Sequence, residues 1–209
     1  QKNNKEQNIE ETVQAQDPTV SPLENQRSQS DKKNIVFIDS QVTDYKKIIS
    51  AFKEGTEVYL VDANDDGFKK MAEILQDQKD IDAIHVIGHG SAGQIVFGDA
   101  YLNNQTVEQY QSSLESIGQA LTEAGDILFY ACNVAAEEAG DLLLSKISEY
   151  TKADIAASDD ITGKSGDWEL EKKIGVVETQ NVQVLDYQSN LLQSGVSSIN
   201  SKVTELPSA

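Results

Sequence analysis

Apolar and polar positions alternate between two rhythms along this chain, and the order of the rhythms predicts the architecture. Residues 34–39 (NIVFID) form a short apolar run that closes on an acidic residue, the pattern of a buried strand. From Thr43 to Lys53 the apolar positions are Tyr45, Ile48, Ile49 and Phe52, a helical period. A second strand follows at 57–62 (EVYLVD), and a second helix at 67–78 with Phe68, Met71, Ile74 and Leu75 on one stripe. A third strand is expected at 82–88 (DAIHVIG). Continuous apolar strands alternating with amphipathic helices signal a parallel sheet covered on both faces.

Beyond residue 90 the rhythm changes. Residues 94–102 (QIVFGDAYL) predict a small β-hairpin turning near Gly98 and Asp99. A helix is expected over 106–123, a fourth main strand over 126–131 (DILFYA), a helix over 137–150 and a short fifth strand over 153–157. Residues 168–170 and 176–178 read as an edge pair, with Trp168 as a core anchor. The expected fold class is α/β: a three-layer α/β/α sandwich with a mainly parallel sheet and a small hairpin after the His-Gly strand. Residues 1–33 are polar, carry two of the three prolines and lack apolar periodicity, so they read as a disordered leader or linker. The ordered domain is expected over 34–190, with 191–209 as a flexible small-residue tail.

Charge narrows the partners. The chain carries a formal net charge of -18, nearly all of it on residues 34–190. A surface this acidic repels phosphate backbones, which argues against nucleic acid. No stretch of 18 or more apolar residues is present, so membrane insertion is not expected. One cysteine allows no internal disulfide. The sequence begins with Gln, as a processed product or an excised segment would.

Two strings carry chemistry. IHVIGHGSAG places His89 and Gly90 after one buried strand, and ILFYACNVA places the single cysteine, Cys132, after another. In doubly wound sheets the site lies at the carboxyl ends of the strands. A thiol and an imidazole delivered there suggest a nucleophile and its acid-base partner, with the Gly90 and Cys132 N–H groups available to a developing oxyanion. The competing reading is a buried structural cysteine and a loop histidine. His85 shares a strand face with His89 and reads as a core histidine. Its spacing to His89 suits zinc only on a helix, and this segment reads as strand. Ser91 in HGSAG fails the Gly-x-Ser-x-Gly elbow at its first position. Asp62, Asn64 and Asp66, with Gly67 and Glu73, fit the calcium-loop pattern, although a strand precedes them instead of a helix. The competing reading is a strand-to-helix turn with an N-cap at Asn64, Asp65 or Asp66.

The paired strand-end motifs resemble the caspase-like cysteine peptidases, which include caspases, gingipains, separases and the self-cleaving domains of large bacterial toxins. The resemblance implies His89 and Cys132 as the catalytic pair and the Gly90 and Cys132 amides as the oxyanion hole. It implies no required cofactor, with calcium left as an addition through Asp62, Asn64 and Asp66. The position two before the cysteine, which often helps form the pocket for the residue on the acyl side of the scissile bond, is Tyr130. Ser158, Asp159 and Asp160 are candidates for the pocket border, against the competing reading of a solvated acidic turn. The strings IVFIDSQVTDY, DANDDG, IHVIGHGSAG, ILFYACNVA and DITG…GDWELE are together similar to a bacterial domain without an established activity, found near the start of very large surface or secreted proteins with cadherin-like or haemolysin-type repeats. That resemblance implies an extracellular or cell-surface setting. The partner expected of a peptidase here is a peptide segment in cis. A non-catalytic module that joins other subunits of a surface assembly is the alternative.

Overall fold

The computed structural model describes residues 31–193, and the account below concerns the unit that begins at Lys33. The expected leader up to residue 30 and the tail from residue 194 lie outside the described residues. Nine strands and four α-helices follow one another in this span: β1 (Asn34–Asp39), α1 (Tyr45–Ile49), β2 (Glu57–Val61), α2 (Gly67–Leu75), β3 (Ile81–Ile87), β4 (His89–Ser91), β5 (Gln94–Phe97), β6 (Ala100–Asn103), α3 (Gln111–Ala120), β7 (Leu121–Tyr130), α4 (Glu137–Thr151), β8 (Asp154–Ala157) and β9 (Lys172–Ile174). The main sheet has six strands in the order β2-β1-β3-β7-β8-β9. All its neighbours are parallel except β8 and β9. Strands β4, β5 and β6 form a separate antiparallel sheet.

Strand alternation divides the core into two layers. Ile35, Phe37, Ile84, Val86, Ile127 and Phe129 face one side, where they pack against α2, α3, α4 and the hairpin residues Ile95, Phe97 and Leu102. Val36, Ile38, Ala83, Ile87, Leu128, Tyr130 and Cys132 face the other. That second face is covered by Ile48 of α1 and by a largely irregular C-terminal run: Trp168, Leu170, Val182, Val184, Tyr187 and Leu191. The buried Asp126 carboxylate fixes this run to the sheet by accepting the Glu178 and Thr179 N–H groups at 3.2 and 2.8 Å.

Several boundaries differ from the sequence expectation, each for a physical reason. The expected helix over 106–123 is a single 3-10 turn at Val107–Tyr110 followed by α3. The chain extends from Leu121, because β7 pairs with β3 already at Ile81 and resumes at Ala83 after an irregularity. The expected pairing of 168–170 with 176–178 does not form. Lys172–Ile174 pairs with β8 instead, while Trp168 is buried as expected, against Tyr130 and Tyr187. Packing also continues past residue 190, since Leu191 is fully buried.

The loop Asp62–Asp66 makes the turn from β2 into α2. The Asp66 carboxylate caps the helix by accepting the Lys69 N–H at 3.1 Å, and its second oxygen accepts the Tyr110 hydroxyl at 2.9 Å. Asp62 accepts from the backbone and side-chain nitrogens of Asn64. Glu73 lies on α2, beside Lys70. Gly98 turns the hairpin at a φ of 62° and passes so close to the loop that a Cβ would sit 2.0 Å from the Asp65 carbonyl oxygen. The buried Asp39 carboxylate, at the end of β1, accepts the Gly98 N–H at 2.8 Å and thereby ties hairpin to sheet.

Candidate active site at the ends of β3 and β7

β3 and β7 are adjacent and parallel, with Ile87 opposite Tyr130, and the Gly88 N–H donates to the Tyr130 carbonyl at 3.2 Å. The two strand-end motifs therefore leave the sheet side by side. After Gly88 the chain turns into β4, so His89 belongs to the small sheet, opposite Val96, and is not the last residue of β3. Gly90 then runs hard against the cysteine loop. A Cβ at this position would lie 2.6 Å from the Cys132 carbonyl oxygen and 2.7 Å from the Val134 side chain. Only a residue without a side chain permits that approach.

The close approach has a consequence for donors. The Gly90 N–H and the Cys132 N–H both donate to one acceptor, the Leu191 carbonyl oxygen, at 3.1 and 3.3 Å. Two backbone amides from different strand ends thus converge on a single peptide carbonyl. The loop that presents the second amide is held from below. Asn133 has a left-handed φ of 58° and donates to the Asp160 carbonyl, and Ala135 donates to the Ser158 carbonyl. The sequence candidates Ser158 and Asp160 accordingly brace the cysteine loop through their backbone. The Ser158 side chain is buried against Asp160, and the Asp159 N–H donates to Glu171.

Cys132 is fully buried on the sheet face it shares with Tyr130. Its Sγ accepts the Thr162 N–H at 3.3 Å and lies 3.4 Å from the Thr162 carbonyl oxygen, to which the thiol donates. Burial pushes the thiol up to about 11, and the charge of Asp160 adds to this. The N–H groups of Thr162 and Leu191 pull the other way. The resting sulfur is therefore a neutral thiol at neutral pH.

His89 is half-buried and lines a cleft of about 260 Å³ together with Gln41, Val96, Gly98, Tyr101 and Gln193. Its Nδ1 is buried and has no hydrogen-bond partner. His85 behaves differently. It is buried among Phe52 and Tyr130, its Nδ1 is 3.1 Å from the Tyr130 hydroxyl, and burial lowers it to about 4. The Tyr130 hydroxyl in turn accepts the Val182 N–H at 2.9 Å. Tyr130 thus joins the core histidine to the C-terminal cover, and its ring forms part of the cluster that contains Leu191.

The elements that sequence reasoning missed are the Thr162 peptide, Leu191 and Gln193. The apolar pair Leu191-Leu192, directly after a polar stretch, is the signal that could have marked the segment as packed.

A family model described as the domain of unknown function DUF4347 matches residues 35–191. The chain belongs to the DUF4347 family. The match takes in all of the main sheet except Asn34, the first residue of β1, and includes both strand-end motifs. No match is found among curated proteins. Within this DUF4347 domain, Asp160, Asp167 and Glu171 form the one group of three or more metal-ligating side chains among the described residues whose ligand atoms approach one another, and all three are exposed. No helix of the described residues is long and apolar enough to cross a membrane.

Proposed function

We propose that this DUF4347 domain is a cysteine endopeptidase with caspase-like chemistry, acting on a peptide segment in cis within a large exported bacterial surface protein. The observation that carries the reading is the convergence of the Gly90 and Cys132 amides on one peptide carbonyl, next to the sulfur of the single cysteine. Two fixed N–H donors aimed at a carbonyl are what an acyl-transfer site needs when negative charge develops on that oxygen. Cys132 is the nucleophile. His89, which lines the cleft beside this junction and has a buried Nδ1 without a hydrogen-bond partner, moves the proton. Hydrolysis by this route needs no cofactor. Calcium, if it binds, meets an Asp66 already engaged with Lys69 and Tyr110.

One observation favours a second reading. The thiol is fully buried and held neutral, as a structural cysteine would be. In that case the domain is a non-catalytic module that contributes to a surface assembly. A thiol-reactive peptidyl probe separates the two. The peptidase reading expects labelling at Cys132 that is lost in His89→Ala, once the segment over the site is loosened. A thiol that stays unlabelled in folded protein with that segment loosened refutes the peptidase reading.

A further inference from the structure

The segment that covers the site is held as a peptide crossing a cleft would be held. On its N-terminal side, the Leu191 N–H donates to the Thr162 carbonyl at 3.0 Å, the Lys164 N–H donates to the Ser189 carbonyl at 2.9 Å, and Asn190 bridges Gly163 in antiparallel register. On its C-terminal side, Leu192 bridges Gly90 and the Gln193 N–H donates to the Gly90 carbonyl at 3.2 Å. The Gln193 side chain accepts from Gln94 at 2.8 Å and from Ser91 at 3.3 Å. Backbone pairing of this kind is how an extended peptide is added to a strand edge. Between the two paired halves lies one carbonyl, that of Leu191, and it receives both converging amides. The Leu191 side chain is fully buried with Tyr130, Cys132, Trp168 and Tyr187, which gives the acyl side of the bond an apolar, aromatic pocket.

The geometry points to Leu191–Leu192 as the bond this domain cuts in its own chain, an inference that rests on the peptidase reading above. The acidic turn at 158–160 then has no part in choosing the side chain. The pocket selects a branched aliphatic residue, and the segment occupies it as substrate. In the reaction, Cys132 Sγ bonds to the Leu191 carbonyl carbon as its proton passes to His89. The charge collects on the oxygen held by the Gly90 and Cys132 amides. The bond to the Leu192 nitrogen then breaks, and His89 returns the proton to the departing amine. Water hydrolyses the Leu191 thioester, leaving a Leu191 carboxylate and restoring the thiol.

The test uses the full chain as wild type, Cys132→Ala and Leu192→Pro, incubated at neutral pH and read by intact mass and N-terminal sequencing. None of the hydrogen bonds above uses the Leu192 N–H, so proline there spares them while replacing the leaving amine with a ring nitrogen. The expected result is a new amino terminus at Leu192 in the wild type, none in Cys132→Ala, and cleavage slowed by about a hundredfold or more in Leu192→Pro. A Cys132-dependent cut at another bond overturns the assignment and leaves the peptidase reading standing. An uncut wild type also overturns it. In that event Leu191→Ala is treated with an acyloxymethyl ketone carrying leucine at its reactive end. Labelling of Cys132 keeps the peptidase reading with the segment as a plug, and no labelling removes both.

Discussion

The buried His85–Tyr130 pair makes the domain acid-sensitive in a way that can be worked out from the structure. In an unfolded chain His85 takes up a proton near pH 6.5, whereas in the fold burial lowers it to about 4. The folded state therefore favours the neutral ring, whose Nδ1 lies 3.1 Å from the Tyr130 hydroxyl, itself an acceptor of the Val182 N–H. Stability from this group is fully present above about pH 6.5 and falls as pH drops, because only the unfolded chain binds the proton. Between about pH 7.5 and pH 5.5 the loss is roughly 1.3 kcal/mol, and it approaches about 3 kcal/mol near pH 4. Carboxylates contribute their own slope at the acid end, so the assay is a difference. Urea unfolding is followed by tryptophan fluorescence of Trp168 at both pH values for wild type and His85→Phe. The wild type should lose about 1.3 kcal/mol more than the variant over that interval, with unchanged urea dependence. Equal losses in the two proteins would show that His85 is protonated in the fold or reaches water, and the reasoning would be wrong.

Four further outcomes follow from single contacts. Gly90→Ala forces β4 off the cysteine loop, so Cys132-dependent cleavage or probe labelling should fall by about 10²-fold or more, and thermal unfolding should show a stability loss of about 1–3 kcal/mol. Asp39→Ala leaves the Gly98 and Gln41 N–H groups without their carboxylate, which should cost about 3 kcal/mol in urea unfolding and raise hydrogen exchange in β5 and β6 first. With the thiol held near 11, iodoacetamide at about pH 8 should alkylate Cys132 in native Cys132-containing protein at least about a hundredfold slower than in urea, a ratio readable by mass spectrometry. Leu191→Ala should narrow that ratio by removing a fully buried side chain from the cluster that contains the cysteine.

The part of this molecule that was legible in its sequence is the part built from side-chain periodicity. β1, β3 and β7 are apolar on both faces because both faces are covered, and their strings ended within one residue of where the strands end. The motif spacing also placed His89 and Cys132 at neighbouring strand ends, as the register between Ile87 and Tyr130 shows. The cover over the second face was not legible in the same way. Trp168, Val182, Val184, Tyr187 and Leu191 are too far apart and too irregular to share a period, and they are held by single contacts such as Asp126 to Thr179 and Tyr130 to Val182. The covering segment was the least legible, because its recognition is almost wholly backbone. Strand addition uses N–H and C=O groups that every residue possesses, so Ser189–Gln193 leaves no periodic side-chain pattern, only the buried Leu191 and the polar contacts of Asn190 and Gln193. The proposed site is therefore encoded in two places of different character. The donors and the sulfur are fixed by specific residues, Gly90 and Cys132. What they would act on under the proposed peptidase reading is set by where the chain returns, and that return is a property of the fold. A sequence scan for reactive side chains finds the first and passes over the second, although the second decides whether the buried thiol is a nucleophile at its own substrate or a cysteine sealed in a core.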